Sequence, residues 1–132
     1  MKTVIKYFLM LFLITTCYSQ KQVNIIGKWI NKSNNFISAI EFKLDNTAIL
    51  YSENNIASEP FNLKIDYSKN PIWLDMKIVK GGITSEVFGL LSIIDEFSVK
   101  FELYLNPNEN RPTSFSKDNN DDIINFILIK TK

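Results

Sequence analysis

The stretch that most constrains this chain runs from Phe61 to Val79. Phe61, Leu63, Ile65 and Tyr67 alternate with Asn62, Lys64 and Asp66. After a Ser-Lys-Asn-Pro break, Ile72, Leu74, Met76 and Ile78 alternate with Trp73, Asp75 and Lys77. An extended chain turns successive side chains to opposite faces, so each run has one apolar face to bury. Pro71 lacks an amide donor and marks the turn between the runs. The pair is predicted as an antiparallel hairpin on which the other strands assemble.

The rest of the chain supplies them. Gly27 to Ile30 forms a first strand after the apolar lead-in Val23 to Ile26, and Asn31 to Asn35 turns. The second strand is predicted from Phe36 to Leu44, with Ile40, Phe42 and Leu44 inward, and the third from Thr47 to Ser52. Lys80-Gly81-Gly82 is the clearest turn, because glycine accepts positive φ without a Cβ clash. Ile83 to Ile94 follows, and Gly89 inside it is expected to mark a bulge or bend. Phe97, Val99, Phe101, Leu103 and Leu105 share a face of the next strand, and Ile123 to Ile129 is the last. No stretch after residue 20 shows sustained helical periodicity. Such spacing suits an all-β barrel or sandwich. Hairpin connections favour an eight-stranded antiparallel barrel, mostly up-and-down, in one domain over residues 21–132.

Residues 1–20 read as a signal peptide. Lys2 and Lys6 precede the apolar run Tyr7 to Ile14, which is too short to span a bilayer, and Cys17 and Ser19 sit two apart as at a signal-peptidase site. Cleavage near Ser19 or Gln20 implies a secreted or periplasmic protein. The alternative is lipid attachment at Cys17, since Ile14-Thr15-Thr16-Cys17 loosely resembles a lipoprotein box; only then would the chain sit on a membrane. Two of the 15 basic residues fall in this leader, which leaves the remainder close to neutral against 14 acidic residues. Nothing in that balance points to nucleic acid. Cys17 is the single cysteine, so no disulfide forms within the chain, and stability rests on the core.

Three spots carry a resemblance. They are Gly27-x-Trp29, then Asp66 to Asp75 with Pro71 between, then Arg111-Pro112-Thr113-Ser114-Phe115. In this order they resemble a family of small secreted bacterial domains of unknown function, abundant in planctomycetes and classed as lipocalin-like. The likeness spans Ile26 to Lys130. The family usually has Gly-Asp where this chain has Asp95-Glu96, and an aromatic where it has Leu91. The resemblance implies a lipocalin-like barrel and brings no activity with it. It also implies a basic side chain packed across the Gly-x-Trp tryptophan. Arg111, the only arginine, is expected either to stack on Trp29 or to bridge to Asp66 or Asp75.

The chain has no histidine, which removes histidine-based acid–base and nucleophilic chemistry and the usual zinc sites. Asp66 and Asp75 could form a carboxylate pair, but turn-amide capping and solvent pairing are the expected roles. Asp118, Asn120 and Asp122 are spaced like the start of a calcium loop, without its glycine and distal glutamate. A solvated turn is the expectation there. Trp73 lies on the polar face and is the best candidate for a glycan platform, with packing favoured. No catalytic residue, metal or cofactor is expected. The expected function is non-catalytic binding of a small, partly apolar or lipid-like ligand in the barrel, through Phe42, Tyr51, Phe61 and Phe101. Tyr67, Phe97 and Tyr104 are also expected inward. The same rings could instead fill a solid core. The alternative is an envelope adaptor or inhibitor that acts through its outer surface.

Overall fold

The computed structural model describes residues 24–33, 36–106, 110–117 and 121–132, without the side chain of Lys80. The expected leader with Cys17, and Asp118 and Asn120, lie outside the described residues. Eight strands follow in order: β1 (Gly27–Asn31), β2 (Ile37–Phe42), β3 (Thr47–Ser52), β4 (Phe61–Asp66), β5 (Ile72–Lys80), β6 (Ile83–Ile93), β7 (Ser98–Tyr104) and β8 (Ile123–Lys130). Each is antiparallel to its neighbours, and β8 returns to β1 to close the barrel. The result is an eight-stranded, closed, up-and-down antiparallel barrel. It is consistent with a lipocalin-like fold.

Period-two alternation sorts the side chains. Trp29, Ile40, Phe42, Leu74, Met76, Leu91, Phe101, Phe126 and Leu128 are fully buried inside. The Phe101 and Phe126 rings stack at 5.4 Å between centroids. Lys64, Asp66, Asp75, Lys77 and Lys100 alternate with them on the outer face. This apolar-in, charged-out order is the reverse of a membrane-spanning barrel. Among the described residues no helix is long and apolar enough to cross a membrane.

The ends of the barrel differ. One end carries three short hairpin turns, each held by an aspartate. Asp45 accepts from the Thr47 amide and hydroxyl, Asp66 from the Ser68 amide and hydroxyl, and Asp95 from the Phe97 amide. Such side-chain caps mimic a backbone turn. Hydrogen bonding to the charged form holds all three carboxyls below their ordinary value, led by Thr47, Ser68 and Ser98 respectively. The same end is plugged by Asn24 to Ile26: the Trp29 indole donates to the Ile25 carbonyl at 2.7 Å, and Lys130 donates to the Asn24 carbonyl at 3.1 Å. The other end holds the longer connections and the β5–β6 turn, where Gly81 and Gly82 take positive φ of 59° and 78°.

Three expectations need correction. Leu44 does not extend β2 inward; it sits in the β2–β3 turn and is 85% exposed, because β2 stops at Phe42 for Asp45 to cap the reversal. Gly89 makes no bulge. It pairs in unbroken register with Leu74 and Leu103, and its missing side chain leaves room for the Phe101 ring. A Cβ there would lie 2.8 Å from Phe101 Cε2. Phe97 and Leu105 lie beyond the ends of β7 and are exposed.

Gly89→Ala is therefore expected to destabilise the fold by about 1–3 kcal/mol, since the Phe101 ring is held against Phe126 and cannot retreat; urea denaturation measures it. A second outcome concerns acid. Each turn carboxyl titrates in the folded state below its unfolded value of 3.8. Their stabilisation is thus complete above that value and is lost as pH falls through the lower folded pKa values. Replacing Asp45, Asp66 and Asp95 together by Asn flattens that acid limb in pH-dependent melts.

Candidate functional site

The barrel's middle is solid. Trp29, Ile40, Leu74, Leu91 and Phe101 show no solvent exposure, so no water-sized space adjoins them. Of the four residues expected to line a ligand cavity, Phe42, Phe61 and Phe101 face inward and are buried. Tyr51 does not. It stands on the outer face opposite Ala39, because Leu50 and Ala48 take the inward positions of β3. There its hydroxyl donates to Glu41 at 2.7 Å and Lys28 covers its ring at 3.7 Å. The hydrogen bond to Glu41 raises the Tyr51 pKa. Tyr67 lies in the β4–β5 turn and is exposed, and Tyr104 faces outward.

An opening exists where the wall is thinnest. The β3–β4 seam has two register pairs, Thr47 with Asn62 and Ala48 with Phe61. Pro60 has no amide proton to extend that ladder. Beyond it the chain meets β3 through the single Tyr51–Ala57 bridge, two Ser58–Leu50 hydrogen bonds, one of them from the Ser58 amide to the Leu50 carbonyl at 2.8 Å, and a turn closed on Ser52. On the far side, β5 outruns β4 from Ile78 to Lys80. The gap is a cleft of about 380 Å3 lined by Leu50, Pro60, Phe61, Ile78 and Val79, with Ser58, Glu59, Asn62 and Lys77 at its rim. A smaller cleft of about 270 Å3 lies at the plugged end, against Phe42, Ile65 and Tyr67. A third, of about 370 Å3, lies on the outer face among Lys64, Lys77, Glu86 and Phe88.

The second assembly is a strap of residues 110–117 laid over the outer face of β5, β6 and β7. Arg111 fastens one end. Its guanidinium forms an ion pair with Asp75, donates to the Leu74 carbonyl at 3.3 Å, and lies 4.7 Å from the Trp73 ring centre and 4.6 Å from that of Phe88. Burial lowers the Arg111 pKa, and the charge of Asp66 opposes that effect. Glu102 fastens the other end. It is fully buried, accepting the Ser116 amide at 2.7 Å and the Tyr104 hydroxyl. Tyr104 also lies 3.1 Å from the Ser114 carbonyl, which competes for the same proton. Burial, and then the bond to Glu102, push the Tyr104 pKa far above the usual phenol range. Lys100 covers the Phe115 ring at 4.3 Å. Pro112 follows Arg111 in the strap and is half-buried.

The motif residues thus separate into two places. Gly27 and Trp29 are at the plugged end, and Asp75, Arg111 and Pro112 at the strap; Pro71 is in the turn below Asp66. Arg111 takes the bridge to Asp75, not the stack on Trp29. The cation near Trp29 is Lys130, 5.5 Å from the ring centre and directly opposite it in the β1–β8 pairing. Sequence reasoning missed Lys130 and Glu102. Lys130 closes an apolar strand and reads as a terminal solubilising residue, and Glu102 reads as a solvated outward position. Asp66 and Asp75 share the outer face at diagonal positions. The first is engaged with Ser68 and the second with Arg111, so the site shows no free carboxylate pair. Trp73 is half-buried with Arg111 and Lys69 against its ring, Lys69 at 4.8 Å.

The chain matches no known family model, no curated protein and no solved structure.

Arg111→Ala is expected to cost about 1–3 kcal/mol, because two ring contacts and an ion pair go together. Trp29 stays buried in that variant, so any shift in tryptophan emission reports Trp73 as it becomes solvated. Arg111→Lys recovers little, since an ammonium cannot lie flat between two rings and bond Asp75 at once.

Proposed function

We propose that this chain is a secreted or envelope-facing, non-catalytic binding protein that holds a small, partly apolar ligand in the cleft at the β3–β4 seam. The cleft itself is the observation that carries this reading. Its volume of about 380 Å3 falls among ordinary ligand sites. Its walls are aliphatic and aromatic, and a few polar groups stand at its rim. The cleft at the plugged end is smaller and the outer-face one is lined by charged side chains. Of the expected ligand residues, Phe61 belongs to this cleft, as its floor, while Phe42 and Phe101 serve the core. The likeness of Gly27-x-Trp29, Asp66 to Asp75 and Arg111 to Phe115 to lipocalin-like secreted domains supports the secreted part of this reading. So does the leader pattern of residues 1–20. An adaptor working through an exposed Trp73 is less well supported, because Arg111 and Lys69 occupy that ring.

Native mass spectrometry of the protein purified from a bacterial periplasm tests the proposal. A small molecule retained on the folded chain and released on denaturation is the expected result. Val79→Asp, at an exposed cleft position, leaves the melting temperature nearly unchanged and abolishes retention. A bare mass for the wild type, with no apolar probe bound in titration, overturns the reading.

A further inference from the structure

The seam cleft has one rigid wall and one loose one. β5 is paired with β6 along its whole length, from Ile72 with Leu91 to Lys80 with Ile83. The opposite wall, residues 53–60, is exposed at every position. Its ties are uneven. Residues 53–56 are fastened: the Ser52 amide donates to the Ile56 carbonyl and the Glu53 amide to the Phe36 carbonyl, each at 3.0 Å, while the Asn55 and Ile56 amides donate to the Ser52 carbonyl at 2.9 Å and hydroxyl at 3.2 Å. From Ala57 on the ties are fewer. Ala57 bridges to Tyr51. Ser58 then bonds Leu50 twice: its amide donates to the Leu50 carbonyl at 2.8 Å, and its hydroxyl accepts the Leu50 amide at 3.1 Å. Segments with exposed backbone bonds and little buried apolar surface open at the lowest free energy. Two points in this segment suit a hinge. Asn55 takes a left-handed φ of 57° in a tight reversal, and Pro60 breaks the ladder before it resumes at Phe61.

We propose that Ala57–Pro60, carried on the turn at Asn55, is a hinged cover over the cleft, latched to β3 by Ser58, and that ligand enters and leaves as the cover swings off Leu50. The inference rests on the seam-cleft reading and adds the gate to it. The cover sets the rate of exchange, and the Leu50, Phe61 and Ile78 surface beneath it sets the affinity.

A reversible lock tests this. Tyr51 and Ala57 are directly opposed in an antiparallel bridge, a geometry within disulfide reach. Tyr51→Cys with Ala57→Cys, in the full chain carrying Cys17→Ser, gives one protein that is locked when oxidised and free when reduced. Any cost of losing Tyr51 is common to both states. The probe is N-phenyl-1-naphthylamine, a neutral apolar fluorophore, followed by stopped flow. Oxidation is expected to slow association and dissociation alike, by about tenfold, with little change in Kd. Ser58→Ala, which removes one of the two latch bonds, is expected to speed both. Equal rates in the oxidised and reduced states, with the probe bound, overturn the cover and leave the cleft standing. A probe that binds neither wild type nor variant overturns the cleft reading itself, and the cover with it.

Discussion

Closure of the barrel depends on Trp29. It is the inward residue of β1 that pairs with Ile40 on one side and Lys130 on the other, so it sits where the first strand meets the last. A ring of that size, fully buried, would carry an unpaired donor into the core. The Ile25 carbonyl accepts that donor and in doing so folds the preceding residues across the barrel's end. Lys130 completes the arrangement by holding the Asn24 carbonyl with its ammonium over the ring. One side chain thus ties the segment before β1 and the end of β8 to one end of the fold and leaves no sheet edge there.

The outer face is organised differently. A strap without regular structure gains little from its own backbone, so it must be fastened by side chains. Arg111 and Glu102 do this at two points. Both work because the covered surface excludes water: Leu90 is fully buried although it points away from the barrel's centre. Glu102 takes two donors there on one oxygen, Oε1, which is how a buried polar side chain is held in place. The molecule therefore has a main core inside the barrel and a minor one beneath the strap. At that place β6 buries a side chain on each face, Leu91 within the barrel and Leu90 beneath the strap.

The barrel was legible because its signal is periodic. The alternation from Phe61 to Val79 assigns faces correctly for almost every residue of β4 and β5. The errors fall where alternation stops being informative. At strand ends, as at Leu44 and Phe97, an apolar residue in phase with the core has no wall left to point into. In β3, Thr47 to Ser52 is apolar at Ala48, Ile49, Leu50 and Tyr51 together, so phase alone does not tell which set is inward. Register with β2 settles it and sends Tyr51 outside. Gly89 shows a third limit, since a glycine for ring clearance and a glycine for a bulge look alike in a strand. For the strap, the single arginine was a visible signal. Choosing Asp75 over Trp29 as its partner needed the path of the chain from Leu105 onward. The seam cleft was invisible because it arises from a missing stretch of pairing.

The meeting of Asn24 with Lys130 has a consequence for orientation. Asn24 and Lys130 meet at the plugged end, whereas the seam opens toward the opposite rim. A tether joined at Asn24 or at Lys132, whether a fused partner, a bead or a lipid, would stand the barrel on its sealed base. The opening would face away from the support, and an immobilised molecule would keep it free toward the surrounding solution.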